Sequence, residues 1–167
     1  PTGPLHVGHG RGAAIGASLS NILAAAGFDV AREFYVNDAG RQMDILTLST
    51  WLRYLGLNHV HIPFPANAYQ GEYVKNMAQL IFQAHADRYV HQPAMLLDGL
   101  PESAHTAATD TDEQLDKLIA NAKKILGQDY AYLHNFVLTE QLGDCRNDLM
   151  EFGVEFDTWF SEQSLFD

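Results

Sequence analysis

His6 and His9 stand three residues apart in the string Pro1-Thr2-Gly3-Pro4-Leu5-His6-Val7-Gly8-His9, an H-x-G-H element behind a loop of proline and glycine. The apolar stretch Ala13, Ala14, Ile15, Leu19, Ile22 and Leu23 then reads as a helix stopped by Gly27. A loop with little side-chain bulk that feeds a helix N-terminus favours anions. Backbone N–H groups point outward there, and the helix dipole is positive at that end. Two imidazoles beside it add donors that can follow a phosphate through a reaction. The combination points to chemistry on ATP. Three readings of the histidine pair stay open. A metal pair lacks nearby Cys or carboxylate partners, and a purely structural pair needs no ligand at all. Phosphate contact is favoured, because Gly3, Gly8, Gly10 and Gly12 thin the backbone around the rings. A Cβ at Gly8 would obstruct a flat ring approaching the loop. The Gly8-x-Gly10-x-Gly12 spacing differs from G-x-G-x-x-G and gives no support to a dinucleotide site.

Other chemistry-bearing residues have plainer readings. His59-x-His61 precedes Pro63 and reads as surface loop. Asp110-x-Asp112-Glu113 lacks the spaced ligands and glycine of a calcium loop and reads as a charged helix start. No metal site is expected. Trp51 and Trp159 read as core, and the lone Cys145 as a small buried residue on a helix rather than a nucleophile.

The elements that must position the histidines follow in order. A helix spans 10–26, and the β-rich run 28–36 reads as one buried strand. Asn37 and Asp38 offer an N-cap to a second helix that Gly56 closes near Tyr54. Loop, helix, strand, helix is half of a parallel α/β unit. Residues 57–68, with Pro63 and Pro65, read as a loop, and a third helix covers roughly 69–90. Residues 91–111 look like an excursion from the core. Thr111-x-x-Gln114 reads as a capping box. It opens a helix that carries Leu115, Leu118, Ile119, Ala122, Ile125 and Leu126 and stops at Gly127. A longer helix near 129–152 stops at Gly153, and 154–160 reads as a closing strand. A phosphate loop in a parallel α/β fold normally follows a strand, so a strand is expected upstream of Pro1.

Composition bounds the rest. At 167 residues and 47% apolar content, one domain with a sizeable core is expected. No apolar run approaches a membrane span, and no signal peptide is visible. A single cysteine fits a reducing, cytoplasmic setting. The net charge of −11 is uneven: residues 1–84 carry five acids and five bases, whereas 85–167 carry sixteen acids and five bases. The acidic half is a poor partner for nucleic acid and reads as a solvated surface.

The string P-T-G-P-L-H-V-G-H-G-R resembles the HIGH motif of class I aminoacyl-tRNA synthetases. More narrowly, it resembles bacterial arginyl-tRNA synthetases. The likeness continues through Gly12-Ala13-Ala14-Ile15-Gly16, Arg32-Glu33-Phe34-Tyr35-Val36-Asn37-Asp38-Ala39-Gly40-Arg41-Gln42, Tyr69-Gln70-Gly71-Glu72-Tyr73 and Phe156-Asp157-Thr158-Trp159-Phe160-Ser161-Glu162. Residues 85–135 are the least diagnostic. The resemblance implies a partial Rossmann-like α/β nucleotide-binding domain with a mostly helical insertion. In that reading 1–56 hold the motif loop and first α/β unit, 57–136 the helical region, and 137–167 a return helix and strand.

It also implies a reaction: ATP and arginine form an aminoacyl-adenylate, and the acyl group passes to tRNA(Arg). His6 and His9 would hold the phosphates in the transition state. Gly8 would let the adenine approach, and Pro1, Thr2, Gly3, Pro4 and Leu5 would shape the ATP loop. Asp38 and Gln42 are weaker candidates for contacting the amino acid, with an N-cap an equal reading of Asp38. Mg2+ would accompany ATP. The parent is expected to be a cytoplasmic monomer that contacts tRNA through other domains.

The lysine-rich second signature of the class does not occur in these residues, and the anticodon-binding and N-terminal domains find no counterpart. The chain therefore reads as a piece of a catalytic domain, expected to bind ATP weakly at best and not to aminoacylate. Two other readings stay open: an H-x-G-H nucleotidylyl transferase acting on another carboxylic acid, and a non-catalytic synthetase-like binding module.

Overall fold

The computed structural model describes residues 2–108 and 111–166. The chain divides into two compact units. One runs to Gly40 and resumes at Leu138; the other is Arg41–Val137.

The first unit is built around α1 (Val7–Ala25) and two short strands, β1 (Glu33–Val36) and β2 (Thr158–Ser161). The strands pair in parallel, with Glu33 opposite Thr158 and Val36 opposite Ser161. Backbone bonds extend the pairing at its start. Asp157 donates its N–H to the Arg32 carbonyl at 2.8 Å and accepts the Arg32 N–H on its carboxylate at 2.7 Å. Aromatic rings cover one face of the pair. Phe34 stacks on Trp159 with ring centres 4.3 Å apart, and Phe156 meets Phe34 edge-on at 5.3 Å. The Arg146 guanidinium lies 4.5 Å over the Trp159 ring. Trp159 is thus half-buried in an aromatic cluster. The strand expected over 28–36 is paired only from Glu33, because β2 offers four partners.

Helix α1 begins earlier than its apolar pattern suggests, at Val7, because His6 caps it. It ends where Gly27 takes a positive φ of 91°. None of its residues is buried. Ile15, Leu19 and Ile22 are 64%, 55% and 66% exposed, so the apolar stretch forms a helix without a covered face.

The second unit holds α2 (Arg41–Leu57), α3 (Glu72–His85), the short α4 (Pro93–Leu96), α5 (Asp112–Leu126) and the start of α6 (Gln128–Glu151). Trp51, Tyr54, Leu48, Leu115, Leu118 and Leu133 are at most 1% exposed. Each such side chain contributes on the order of 1.5–3 kcal/mol through burial. Several polar groups inside are paired. Trp51 donates Nε1–H to the Tyr89 carbonyl at 2.9 Å, and Tyr54 donates its hydroxyl to the Ala86 carbonyl at 2.6 Å. Asn121 donates to the Leu96 and Asp98 carbonyls, both at 2.8 Å. In α2 the buried Thr47, Ser49 and Thr50 return their hydroxyls to the carbonyls one turn back. Helix α2 can therefore be buried on nearly every side from Met43 to Leu55.

Capping explains the other boundaries. Thr111 accepts the Gln114 N–H at 3.3 Å and starts α5; Gly127 ends it with φ 53°. Gly153, at φ 77°, follows α6. Two expected caps do not hold. Helix α2 begins at Arg41, beyond Asn37 and Asp38, with Gly40 at φ 103° before it. It also runs through Gly56 to Leu57, and the chain turns instead at His59, whose φ is 63°. Asp110, of the acidic trio, lies outside the described residues, while Asp112 opens α5.

Candidate functional site

The H-x-G-H residues form a reciprocal cap at the start of α1. His6 is the N-cap, with extended φ −121° and ψ 172°. Its Nδ1 accepts the Gly8 N–H at 3.1 Å. His9 Nδ1 accepts the His6 N–H at 3.2 Å. The two rings stack with centres 3.7 Å apart and planes at 19°. An Nδ1 that accepts a hydrogen bond carries no proton, so in each neutral ring the proton sits on Nε2. Both rings are exposed. The arrangement leaves two Nε2–H donors on stacked rings beside a helix N-terminus, which suits an anion with several oxygens.

Gly8 makes this possible. A Cβ there would lie 2.9 Å from His6 Cε1 and 3.0 Å from its Nδ1. The ring that needs the space is that of His6 itself, folded back to cap the helix. Gly10 donates its N–H to the His6 carbonyl at 3.1 Å, the first turn of α1. Thr2, Gly3 and Leu5 are half-buried and Pro4 is exposed on the approach to the cap. Pro1 lies outside the described residues.

Asp38 belongs to the same unit but serves the strands. It is 8% exposed. One carboxylate oxygen accepts the Ser161 hydroxyl at 2.6 Å, and the other accepts the Gln163 N–H at 2.9 Å. Asp38 thus ties the end of β1 to the turn after β2. Sequence reading missed this role; the string F-D-T-W-F-S-E carries Ser161, but nothing in it marks a partner 123 residues away. Gln42 is exposed in the first turn of α2 and belongs to the second unit.

Tyr69, Gly71, Tyr73 and Trp51 fall in the second unit and Cys145 in the first. Tyr69 donates its N–H to Ser49 Oγ at 3.1 Å. Gly71 is the N-cap position of α3, and a Cβ there would run into the Tyr73 ring. Burial pushes the Tyr73 phenol up to about 12. Trp51 is core, at 1% exposure. Cys145 is buried in α6, and burial pushes its thiol up, against a role as a thiolate nucleophile. Among the described residues no three His, Cys, Asp or Glu gather to hold a metal ion. No helix among them is long and apolar enough to cross a membrane.

Comparison with known proteins agrees with the motif. The family model described as "tRNA synthetases class I (R), catalytic domain" matches residues 2–103. An arginine–tRNA ligase of Nitrosospira multiformis is 74% identical over all 167 residues, and that of Nitrosomonas eutropha is 71% identical over 168. The chain spans 28% and 29% of the length of these relatives. A crystal structure from Campylobacter jejuni, assigned as an arginyl-tRNA synthetase, superposes with a TM-score of 0.72 at 25% identity, over the whole of this chain and 30% of that one. The partial Rossmann-like reading of the fold holds: a small parallel sheet with helices, as in a class I synthetase. The chain belongs to the class I tRNA synthetases of the arginine group and forms part of their catalytic domain.

Proposed function

We propose that these residues are the ATP half of an arginine-activating site, and that the complete protein is an arginine–tRNA ligase acting on ATP, arginine and tRNA(Arg). The observation that carries the reading is the reciprocal His6–His9 cap, with its pair of Nε2–H donors at the N-terminus of α1. The arginine–tRNA ligase relatives support the choice of amino acid.

In the first step an arginine carboxylate oxygen attacks the α-phosphorus of ATP. The bond to the bridging oxygen breaks, and pyrophosphate leaves with that electron pair. Negative charge grows on the phosphoryl oxygens, so catalysis rests on positioning and on donors already aimed at that charge. His6 and His9 meet both needs. Their Nδ1 atoms are engaged by the backbone, which orients the rings and leaves each Nε2 for a ligand. Thr2, Gly3, Pro4 and Leu5 shape the approach to the cap, and Pro1 would precede them. Magnesium enters with the nucleotide.

Asp38 and Gln42 remain the candidates on the amino-acid side. Asp38 reaches that role with both carboxylate oxygens already engaged, so its contribution is first to hold β1 and β2 together at the sheet edge. Transfer to tRNA would use domains outside these residues. We further propose that the whole protein works in the cytoplasm as a monomer.

Arginine-dependent exchange of labelled pyrophosphate into ATP tests the reading in the complete protein. Exchange with arginine, and not with other amino acids, is the expected result; the 167-residue chain alone should give none. Exchange driven by a different carboxylic acid, with arginine inactive, would replace this reading with a nucleotidylyl transferase. Robust arginine-dependent exchange by the chain alone would refute its assignment as half a site.

A further inference from the structure

The second unit contains a cavity of about 510 Å³ between the C-terminal turns of α2, the following loop and α3. Its lining includes Arg53, Gly56, His61, Phe64, Glu72 and Lys75. The volume lies within the range of small-molecule sites. None of these residues belongs to the H-x-G-H cap.

Arg53 is the unusual member. Its guanidinium lies 3.9 Å over the Phe64 ring, which fixes its plane. Its Nε is buried without a hydrogen-bond partner. Among the described residues Arg53 makes no ion pair. The neighbouring Lys75 is answered by Glu72 at 2.7 Å. The cavity therefore holds one half-buried, pre-oriented cation that the described residues answer with the Phe64 ring but with no carboxylate, in a lining of apolar and polar side chains. A half-buried cation without a partner is costly, and a planar guanidinium is shaped to take a carboxylate or phosphate on its edge.

Gly56 lines the same cavity. It is the exposed penultimate residue of α2, and its backbone needs no positive φ. A Cβ built there meets no heavy atom within 4 Å. Packing within the chain does not require glycine at this position. The cavity is therefore open at Gly56.

We propose that this cavity binds a small organic anion: a carboxylate or phosphate paired with Arg53, carried on a flat apolar body that lies along Phe64 and the opened surface at Gly56. Phenyl phosphate is the probe, and inorganic phosphate and phenol are its two halves. The readout is the Arg53 Nε–Hε signal and the Phe64 amide in 1H–15N spectra of the full chain. Phenyl phosphate should shift both with saturation below roughly 10 mM, and more than either half does. Gly56→Leu should abolish the shift while the chain melts at or above the wild-type temperature, because leucine favours helix and its Cβ has room. Arg53→Gln should abolish the Phe64 shift. Four results would each overturn the proposal: no saturable shift, a shift retained in Gly56→Leu, an equal response to inorganic phosphate, or a stronger response to a short single-stranded oligonucleotide.

Discussion

The two units of this chain solve the problem of apolar surface in opposite ways. In Arg41–Val137, α2 is buried on nearly every side, and its rings and amides find partners inside the unit. In the first unit, α1 is an apolar helix with no buried residue. The unit that carries the histidines is thus the one with the weakest support of its own. Folding stability comes mainly from apolar area removed from water, and most of the buried apolar side chains lie in the helical unit.

The largest expected contrast is between apolar side chains of the two units. Leu118→Ala, at 1% exposure, should cost about 2–5 kcal/mol in denaturant unfolding of the chain. Ile15→Ala, at 64% exposure, should change it by no more than about 0.5 kcal/mol. Equal losses would break the comparison. Next in size is Asp38→Ala. It strands the Ser161 hydroxyl and the Gln163 N–H, at a cost of about 1–3 kcal/mol. Amide exchange should quicken across Glu33–Val36 and Thr158–Ser161 and stay unchanged around Trp51; uniform quickening would merge the two units into one.

Gly8→Ala is smaller and more local. The methyl group meets His6 Cε1 at 2.9 Å, so the ring must leave the cap, at a cost of about 1 kcal/mol. Nitrogen chemical shifts of His6 should then lose the fixed Nε2–H tautomer; an unchanged tautomer would contradict the cap.

Last is an alkaline effect in the helical unit. Burial raises the phenols of Tyr54, Tyr73, Tyr89 and Tyr130 there, Tyr73 from 10.0 to about 12. A folded pKa above the unfolded value gives stability that is complete below pH 10 and lost as pH rises towards 12. Unfolding monitored at Trp51 should ease over that range. Loss beginning well below pH 10 would point to other groups.

The contrast also governs what could be read from the sequence. Glycines that end helices were legible, because Gly27, Gly127 and Gly153 need a positive φ that other residues resist. Gly56 was misread as a stop for the same reason, although its place is inside α2. The start of α1 was three residues late, since histidine is not among the usual capping residues and only the fold shows it acting as one. The motif itself was plain, but its tautomer and the stacking of its rings are properties of three-dimensional placement. The Asp38–Ser161 bond joins distant residues, and no local pattern announces it. Likewise α1 read as a helix from its apolar spacing, while its exposure depends on what packs against it.

The central claim is that His6 and His9 act as donors to the reacting phosphate. It is tested most directly by His9→Ala in the complete protein, measured as arginine-dependent pyrophosphate exchange. Turnover should fall by about 10²–10³-fold with little change in the KM for ATP, and His9→Asn, which keeps an acceptor for the His6 N–H and an outward donor, should recover part of it. Unchanged turnover in His9→Ala would contradict the account.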